Sequence, residues 1–175
     1  MNAQVKADEA RYLMQTYKRA EVEFVRGEGA IIFDDEGKEY IDFLSGIAVA
    51  SVGHCHPEVV EAIRVQAGEL LHVSNLFYTG PMVELARRLS ESSLGGKVFF
   101  CNSGTEANEC AIKIARKAAR ARGIENPEIV TFESDFHGRS YGALSATPGL
   151  ATNPDFGPML PGFRSVPFDD ADALR

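Results

Sequence analysis

Apolar positions along this chain recur in two periods, and the changes from one to the other mark its elements. Ala107, Ala111, Ile114, Ala115 and Ala118 fall at i, i+4, i+7, i+8 and i+11, which is the stripe of one helix running from the Gly104–Glu106 turn to Arg122. The same period predicts helices from Asp8 to Tyr17 (Ala10, Leu13, Met14, Tyr17), from Pro57 to Leu71 (Val59, Val60, Ile63, Ala67, Leu70) and from Pro81 to Leu94 (Val83, Leu85, Ala86, Leu89). Short β-rich runs lie between them. Phe24-Val25, Ala30 to Phe33 and Glu39 to Phe43 read as strands, the last two joined by the turn Asp34-Asp35-Glu36-Gly37. Val98 to Cys101, Ile129 to Phe132 and Phe163 to Val166 read as strand or extended chain, and Asp169 to Arg175 starts a further helix. The run Leu44 to Ala50 is apolar but of no clear period. The acidic turn is expected to be solvated and carries no assigned chemistry.

Strand, helix and strand between Val98 and Phe132 is a βαβ unit, whose two strands are expected to be parallel and to end on the same edge of the sheet. The fold class is therefore α/β, a parallel βαβ sheet core preceded by a small α+β segment. On this reading residues 1–55 form the N-terminal segment and residues 56–175 a larger domain. Ligands of such sheets bind at the carboxyl edge. The turn Asn102 to Glu106 and the loop Glu133 to Arg139 should both open there.

The helix after Ser103 has well-specified ends. Ser103 and Glu106 stand in the S-x-x-E relation of a capping box, each able to reach the other's unpaired backbone N–H. Acidic Glu106 and Glu109 come early, and Lys113, Arg116, Lys117, Arg120 and Arg122 come late, matching the helix dipole. A helix opened by Ser103-Gly104-Thr105 is either a capped core helix or a seat for a phosphate. Across the edge, Phe136 could cover the face of a ring and Arg139 could grip a carboxylate with its fork. Alone, each has an ordinary reading as a core or surface residue. Together they suit a flat phosphorylated aromatic ligand and a carboxylate.

Composition narrows the alternatives. With 175 residues, 18 Lys and Arg against 25 Asp and Glu and a net charge of −7, the chain is mildly acidic and lacks the basic patch of a nucleic-acid binder. No apolar run approaches the roughly 20 residues that span a bilayer, so no membrane is expected. The N-terminus lacks a signal-peptide core. Three cysteines, Cys55, Cys101 and Cys110, fit a reducing cytoplasm better than a disulfide framework. His54-Cys55-His56 invites a metal reading, but adjacent ligands rarely converge; the run is better read as a turn delivering Pro57 to a helix, and no metal site is assigned. The aromatic loop His72 to Thr79 is either packing or a subunit contact.

No G-x-G-x-x-G follows a strand and no P-loop motif is present, so neither nucleotide-binding reading is supported. A serine hydrolase built on Ser103, His137 and Asp135 lacks the first glycine of the nucleophile elbow.

Four motifs, in order, carry a resemblance: Asp42 to Val49, Gly53 to Pro57, Asn102 to Glu109 and Phe136 to Arg139. Together they resemble the class III, pyridoxal-phosphate-dependent aminotransferases, over nearly the whole chain. The resemblance implies the N-terminal part of a fold type I transferase, with residues 56–175 an incomplete cofactor-binding domain that stops at Arg175. It implies that Gly104 and Thr105 hold the phosphate of pyridoxal 5'-phosphate with Ser103 as a neighbour, that Phe136 covers the pyridine ring, and that Arg139 holds the substrate carboxylate. It also implies an amino-acid donor of the ornithine kind, N2-acetylornithine first, with ornithine, succinylornithine and 4-aminobutyrate as alternatives. 2-Oxoglutarate would be the acceptor, in arginine biosynthesis, and the assembly a homodimer. The lysine that holds the cofactor's aldehyde lies downstream of these motifs in the family. None of Lys6, Lys18, Lys38, Lys97, Lys113 and Lys117 is placed to replace it, so no catalytic residue is expected in this chain, and it is expected to be a fragment. A complete, non-catalytic phosphate-binding module is the reading of a different class.

Overall fold

Asn2 opens the first helix by accepting the Gln4 N–H on its side chain, at 3.0 Å, which places α1 at Ala3–Tyr12, earlier than the Asp8 to Tyr17 expected. The computed structural model describes residues 2–150 and 154–174. They cluster into two units, Met1–Tyr78 and Thr79–Arg175.

In the first unit β1 (Phe24–Glu28), β2 (Ile31–Asp34) and β3 (Glu39–Ile41) form an antiparallel sheet in sequence order. The hairpin between β2 and β3 departs from a plain solvated loop. Asp34 is buried, accepts the N–H groups of Glu36 and Lys38 at 3.0 and 2.8 Å, and accepts the Tyr40 hydroxyl at 2.9 Å. Burial pushes its carboxyl up, but these hydrogen bonds outweigh that and leave it below its ordinary value. The ambiguous apolar run becomes α2 (Ser45–Ala48), one turn in which Ser45, Gly46, Ile47 and Ala48 all have positive φ. His54 bridges to Gly29, and its Nε2 lies 2.7 Å from Asp42 Oδ2, while Asp42 also accepts the Leu44 and Ser45 N–H groups at 2.9 Å. The His54 turn delivers Pro57 to the first turn of α3 (Pro57–Glu69), as the sequence suggests.

In the second unit α4 (Gly80–Glu91) and α5 (Gly104–Ala121) match the predicted helices to within a few residues. β4 (Ile129–Phe132) is followed by α6 (Tyr141–Ser145), a 3-10 turn at Pro154–Phe156 and β5 (Phe163–Val166). β4 and β5 pair in parallel, Ile129 opposite Phe163 through Phe132 opposite Val166. The parallel sheet is thus real, but its second strand is not the one expected. Val98 to Cys101 is not a strand, and no backbone hydrogen bond joins it to another described segment. β-propensity alone does not make a strand; a neighbour must meet its N–H and C=O groups, and none does. Asp169 to Leu174 likewise is a turn rather than a helix, closed by Asp170 accepting the Asp172 and Ala173 N–H groups at 3.1 and 2.9 Å. The core of this unit gathers Ile112 from α5, Ala143 and Leu144 from α6, Ala146, and Val166 from β5.

Much apolar surface stays open. Phe43 is 94% exposed, and in the aromatic loop Tyr78 is 98% exposed with Leu76 and Phe77 exposed before it, so that loop is not packed within the described residues. No helix among the described residues is long and apolar enough to cross a membrane.

Candidate cofactor site

Ser103 is the N-cap of α5, extended at φ −156° and ψ 160°, and its hydroxyl oxygen accepts the Glu106 N–H at 3.3 Å. The reciprocal half of the capping box is displaced by one residue. Glu106 takes the N–H of Asn102, at 2.7 Å, in place of that of Ser103, and it also accepts the Asn102 side-chain amide and the Ser103 hydroxyl at 3.3 and 3.2 Å. The Asn102 bonds, side chain first, hold the Glu106 carboxyl below its ordinary value. The N–H groups of Gly104 and Thr105 start the helix and have no intrahelical partner. At Gly104 a Cβ would meet nothing within 4 Å, so open space lies against this turn.

The loop after β4 comes to that same turn. Gly138 is buried at φ +132°, and a Cβ there would lie 2.2 Å from Thr105 Oγ1 and 3.0 Å from Thr105 Cα. Only glycine allows so close an approach at such a backbone angle. The Thr105 and Ser140 hydroxyls are 2.7 Å apart, the Ser140 N–H donates to Thr105 Oγ1 at 3.3 Å, and the Ser140 hydroxyl donates to Glu109 Oε1 at 2.5 Å. Glu109 also accepts the Ala143 N–H at 3.1 Å and so caps α6 from α5, a helix whose own N-cap, Ser140, makes no side-chain cap bond. The Ser140 hydroxyl foremost, then the Ala143 and Gly142 N–H groups, hold the Glu109 carboxyl below its ordinary value despite partial burial. His137 is fixed through its backbone: Asn108 donates its amide to the carbonyl oxygen at 2.5 Å, and the His137 N–H donates to Thr147 Oγ1 at 3.0 Å.

Ser103, Gly104 and Thr105 and the loop bearing Phe136 and Arg139 are therefore brought together, by Gly138 and Ser140 against Thr105 and not by the strand pairing that the sheet-edge argument assumes, since Val98 to Cys101 is not a strand. Phe136 is exposed, with the Arg139 guanidinium 5.8 Å from its ring centroid. The hydrolase constellation does not form: the Ser103 hydroxyl is bonded to Glu106, and His137 Nε2 is buried without a hydrogen-bond partner, 3.7 Å from Asp135 Oδ2. Among the described residues no cluster of His, Cys, Asp or Glu could hold a metal ion. Sequence reasoning missed Asn108, Glu109, Ser140 and Thr147. A signal was present for two of them, since Asn108 and Glu109 follow Thr105 at i+3 and i+4 and so share its helix face.

An open helix N-terminus, beside an aromatic ring and a guanidinium on a loop that follows a strand of a parallel sheet, defines an α/β protein with a candidate site at that turn. Residues 12–175 match the family Aminotransferase class-III. The chain belongs to that family. It is 53% identical over 167 residues to the acetylornithine aminotransferase of Caldanaerobacter subterraneus subsp. tengcongensis, covering 95% of this chain and 42% of that protein. Its fold is that of the ornithine aminotransferase of Toxoplasma gondii, at a TM-score of 0.92, 33% identity, and coverage of 99% of this chain and 42% of that one. The N-acetylornithine aminotransferase of Stenotrophomonas maltophilia matches with a TM-score of 0.75 and 37% identity over 96% of this chain and 39% of that one. The chain thus spans about two-fifths of the length of these relatives. Pyridoxal phosphate is the cofactor of the family, and the Toxoplasma structure has it at partial occupancy in the active site. The open space at Gly104 and the unpaired N–H groups beside it fit the phosphate end of that cofactor.

Proposed function

We propose that this chain is part of an aminotransferase that takes the amino group of N2-acetylornithine and passes it to 2-oxoglutarate through pyridoxal phosphate, in arginine biosynthesis in the cytoplasm. The observation that carries the reading is the meeting of the α5 N-terminal turn with the Phe136–Arg139 loop, locked by Gly138 against Thr105. Ser103, Gly104 and Thr105 bind the phosphate, with main-chain N–H groups and the positive end of an 18-residue helix stabilising its charge. Phe136 orients the ring by covering one face, and Arg139 holds the substrate carboxylate. When bound, the cofactor supplies the electron sink for the bond broken at the substrate's α-carbon. This reading assigns the proton-moving role to none of the six lysines of this chain, so on it the chain alone is inactive.

N2-Acetylornithine is favoured by the identity to acetylornithine aminotransferases; the backbone match to the Toxoplasma ornithine aminotransferase supports ornithine as the second reading. The exposed Phe43, Leu76 and Tyr78 support a homodimer in which a partner covers them. The test is glutamate formation from 2-oxoglutarate by the full-length protein, with N2-acetylornithine, ornithine, succinylornithine and 4-aminobutyrate compared by kcat/KM. A preference for N2-acetylornithine is expected. No transamination with any of the four overturns the reading. Borohydride treatment of this chain with pyridoxal phosphate should leave no stoichiometric adduct at a single lysine.

A further inference from the structure

Glu109 has no part in the binding roles just proposed, yet it makes the short bond to Ser140 and caps α6. Its surroundings fix the direction of the protons around it. The carboxyl is held in its ionised form and can only accept, so the single Ser140 hydroxyl proton goes to Glu109. Ser140 Oγ then has only lone pairs to offer, and the 2.7 Å bond with Thr105 must be donated by Thr105. Thr105 Oγ1 in turn accepts the Ser140 N–H. The Ser103 hydroxyl is committed in the same manner, with its proton donated to Glu106 and its oxygen accepting the Glu106 N–H. Both hydroxyls of the turn have spent their protons, Ser103 on the Glu106 carboxylate and Thr105 on the Ser140 hydroxyl oxygen. A phosphate dianion offers only acceptors, so at this turn it must find its donors in the main chain.

We infer that Glu109 is a positioning residue: it draws the hydroxyl protons of Ser140 and, through it, Thr105 toward itself, latching the Phe136–Arg139 loop to the first turn of α5 and leaving only backbone N–H groups of this turn to serve the cofactor phosphate. The close fit around the latch agrees with this. A Cβ at Gly142 would lie 2.3 Å from Glu109 Oε2 and one at Gly138 would lie 2.2 Å from Thr105 Oγ1, so the two ends of the hydrogen-bonded chain are both packed against glycines. Glu109 touches neither substrate nor cofactor on this account; it acts through where it holds the loop. The inference about the phosphate rests on the cofactor reading above, whereas the latch itself does not.

Two measurements on the full-length protein separate these parts. In the cofactor-free protein, amide hydrogen exchange at Gly138–Ala143 should quicken by roughly tenfold or more in Glu109→Leu and in Ser140→Ala, as befits the loss of a hydrogen bond to a charged acceptor. Glu109→Gln, which keeps an acceptor oxygen, should stay within about threefold of wild type. Exchange that is unchanged in both of the first two variants overturns the latch. In the second measurement, pyridoxal phosphate is titrated into wild type, Ser140→Ala, Thr105→Val and the double variant, and followed by absorbance. If the Thr105 hydroxyl acts only through Ser140, the single substitutions weaken binding by the same factor, within about threefold, and the double adds nothing. A Thr105→Val loss about tenfold greater than that of Ser140→Ala means the hydroxyl donates to phosphate and overturns the assignment. Wild type that fails to bind pyridoxal phosphate defeats the cofactor reading and leaves the exchange measurement to decide the latch.

Discussion

Gly138→Ala should destabilise the second unit far more than a one-methyl change ordinarily does. The new Cβ would stand 2.2 Å from Thr105 Oγ1, 2.6 Å from its Cβ and 3.0 Å from its Cα. The last of these is main chain at the start of a helix and has no rotamer by which to move aside. Holding a side chain at φ +132° costs about 1–3 kcal/mol of backbone strain, and forcing the extra carbon into filled space adds about 1–3 kcal/mol. The expected total is about 2–6 kcal/mol. The loop can escape the overlap only by lifting off α5, which breaks the two Thr105–Ser140 bonds at about 1 kcal/mol each and so gives little relief. Equilibrium urea unfolding followed by circular dichroism measures the cost. At a slope of about 1–3 kcal/mol per molar, the midpoint should fall by about 1 M or more. A loss below about 1 kcal/mol with an unchanged slope would refute the close approach of this loop to Thr105.

Gly104→Ala should do the opposite at the same turn: with nothing within 4 Å of the new carbon, stability holds or rises by about 0.4–1 kcal/mol, while affinity for pyridoxal phosphate, read by absorbance titration, falls as the methyl enters the open space. Ile112→Ala removes a buried side chain from the core of the second unit and should cost about 2–4 kcal/mol in the same urea experiment. Arg87 first, then Arg88, holds the Glu84 carboxyl down to about 2, so its contribution to stability is complete above the ordinary carboxylate range and is lost as pH falls through about 2. Replacing both arginines by alanine should return the Glu84 NMR titration midpoint to about 4.3.

How much of this was readable from the chain follows the range of the forces involved. α5 was legible because an apolar stripe, an N-cap and a charge gradient all lie within its own 18 residues. β4 and β5 were legible as extended segments, but not as partners, because pairing is settled by what lies alongside each strand and not by its own composition. Val98 to Cys101 shows the same limit from the other side: it has strand composition and no neighbour. At the site, Gly104, Phe136 and Arg139 stood out through motifs of a few residues each. The bond from Ser140 to Glu109 spans 31 positions, and nothing local to either residue announces it. Asp34 hid for a different reason, since a run of acids reads as solvent-facing until Tyr40 and two backbone N–H groups are seen to converge on it.

Gly138 and Gly142 divide the neighbourhood into positions that can drift and positions that cannot. At Gly138 any side chain collides with the side chain and main chain of Thr105, and at Gly142 it displaces the Glu109 carboxylate, so change there is paid in the fit of loop and helix before it can alter chemistry. Phe136 and Arg139, two and one positions away from Gly138, are exposed and outside that constraint. A lineage can therefore exchange what the loop presents to solvent while inheriting intact the seat it is presented from.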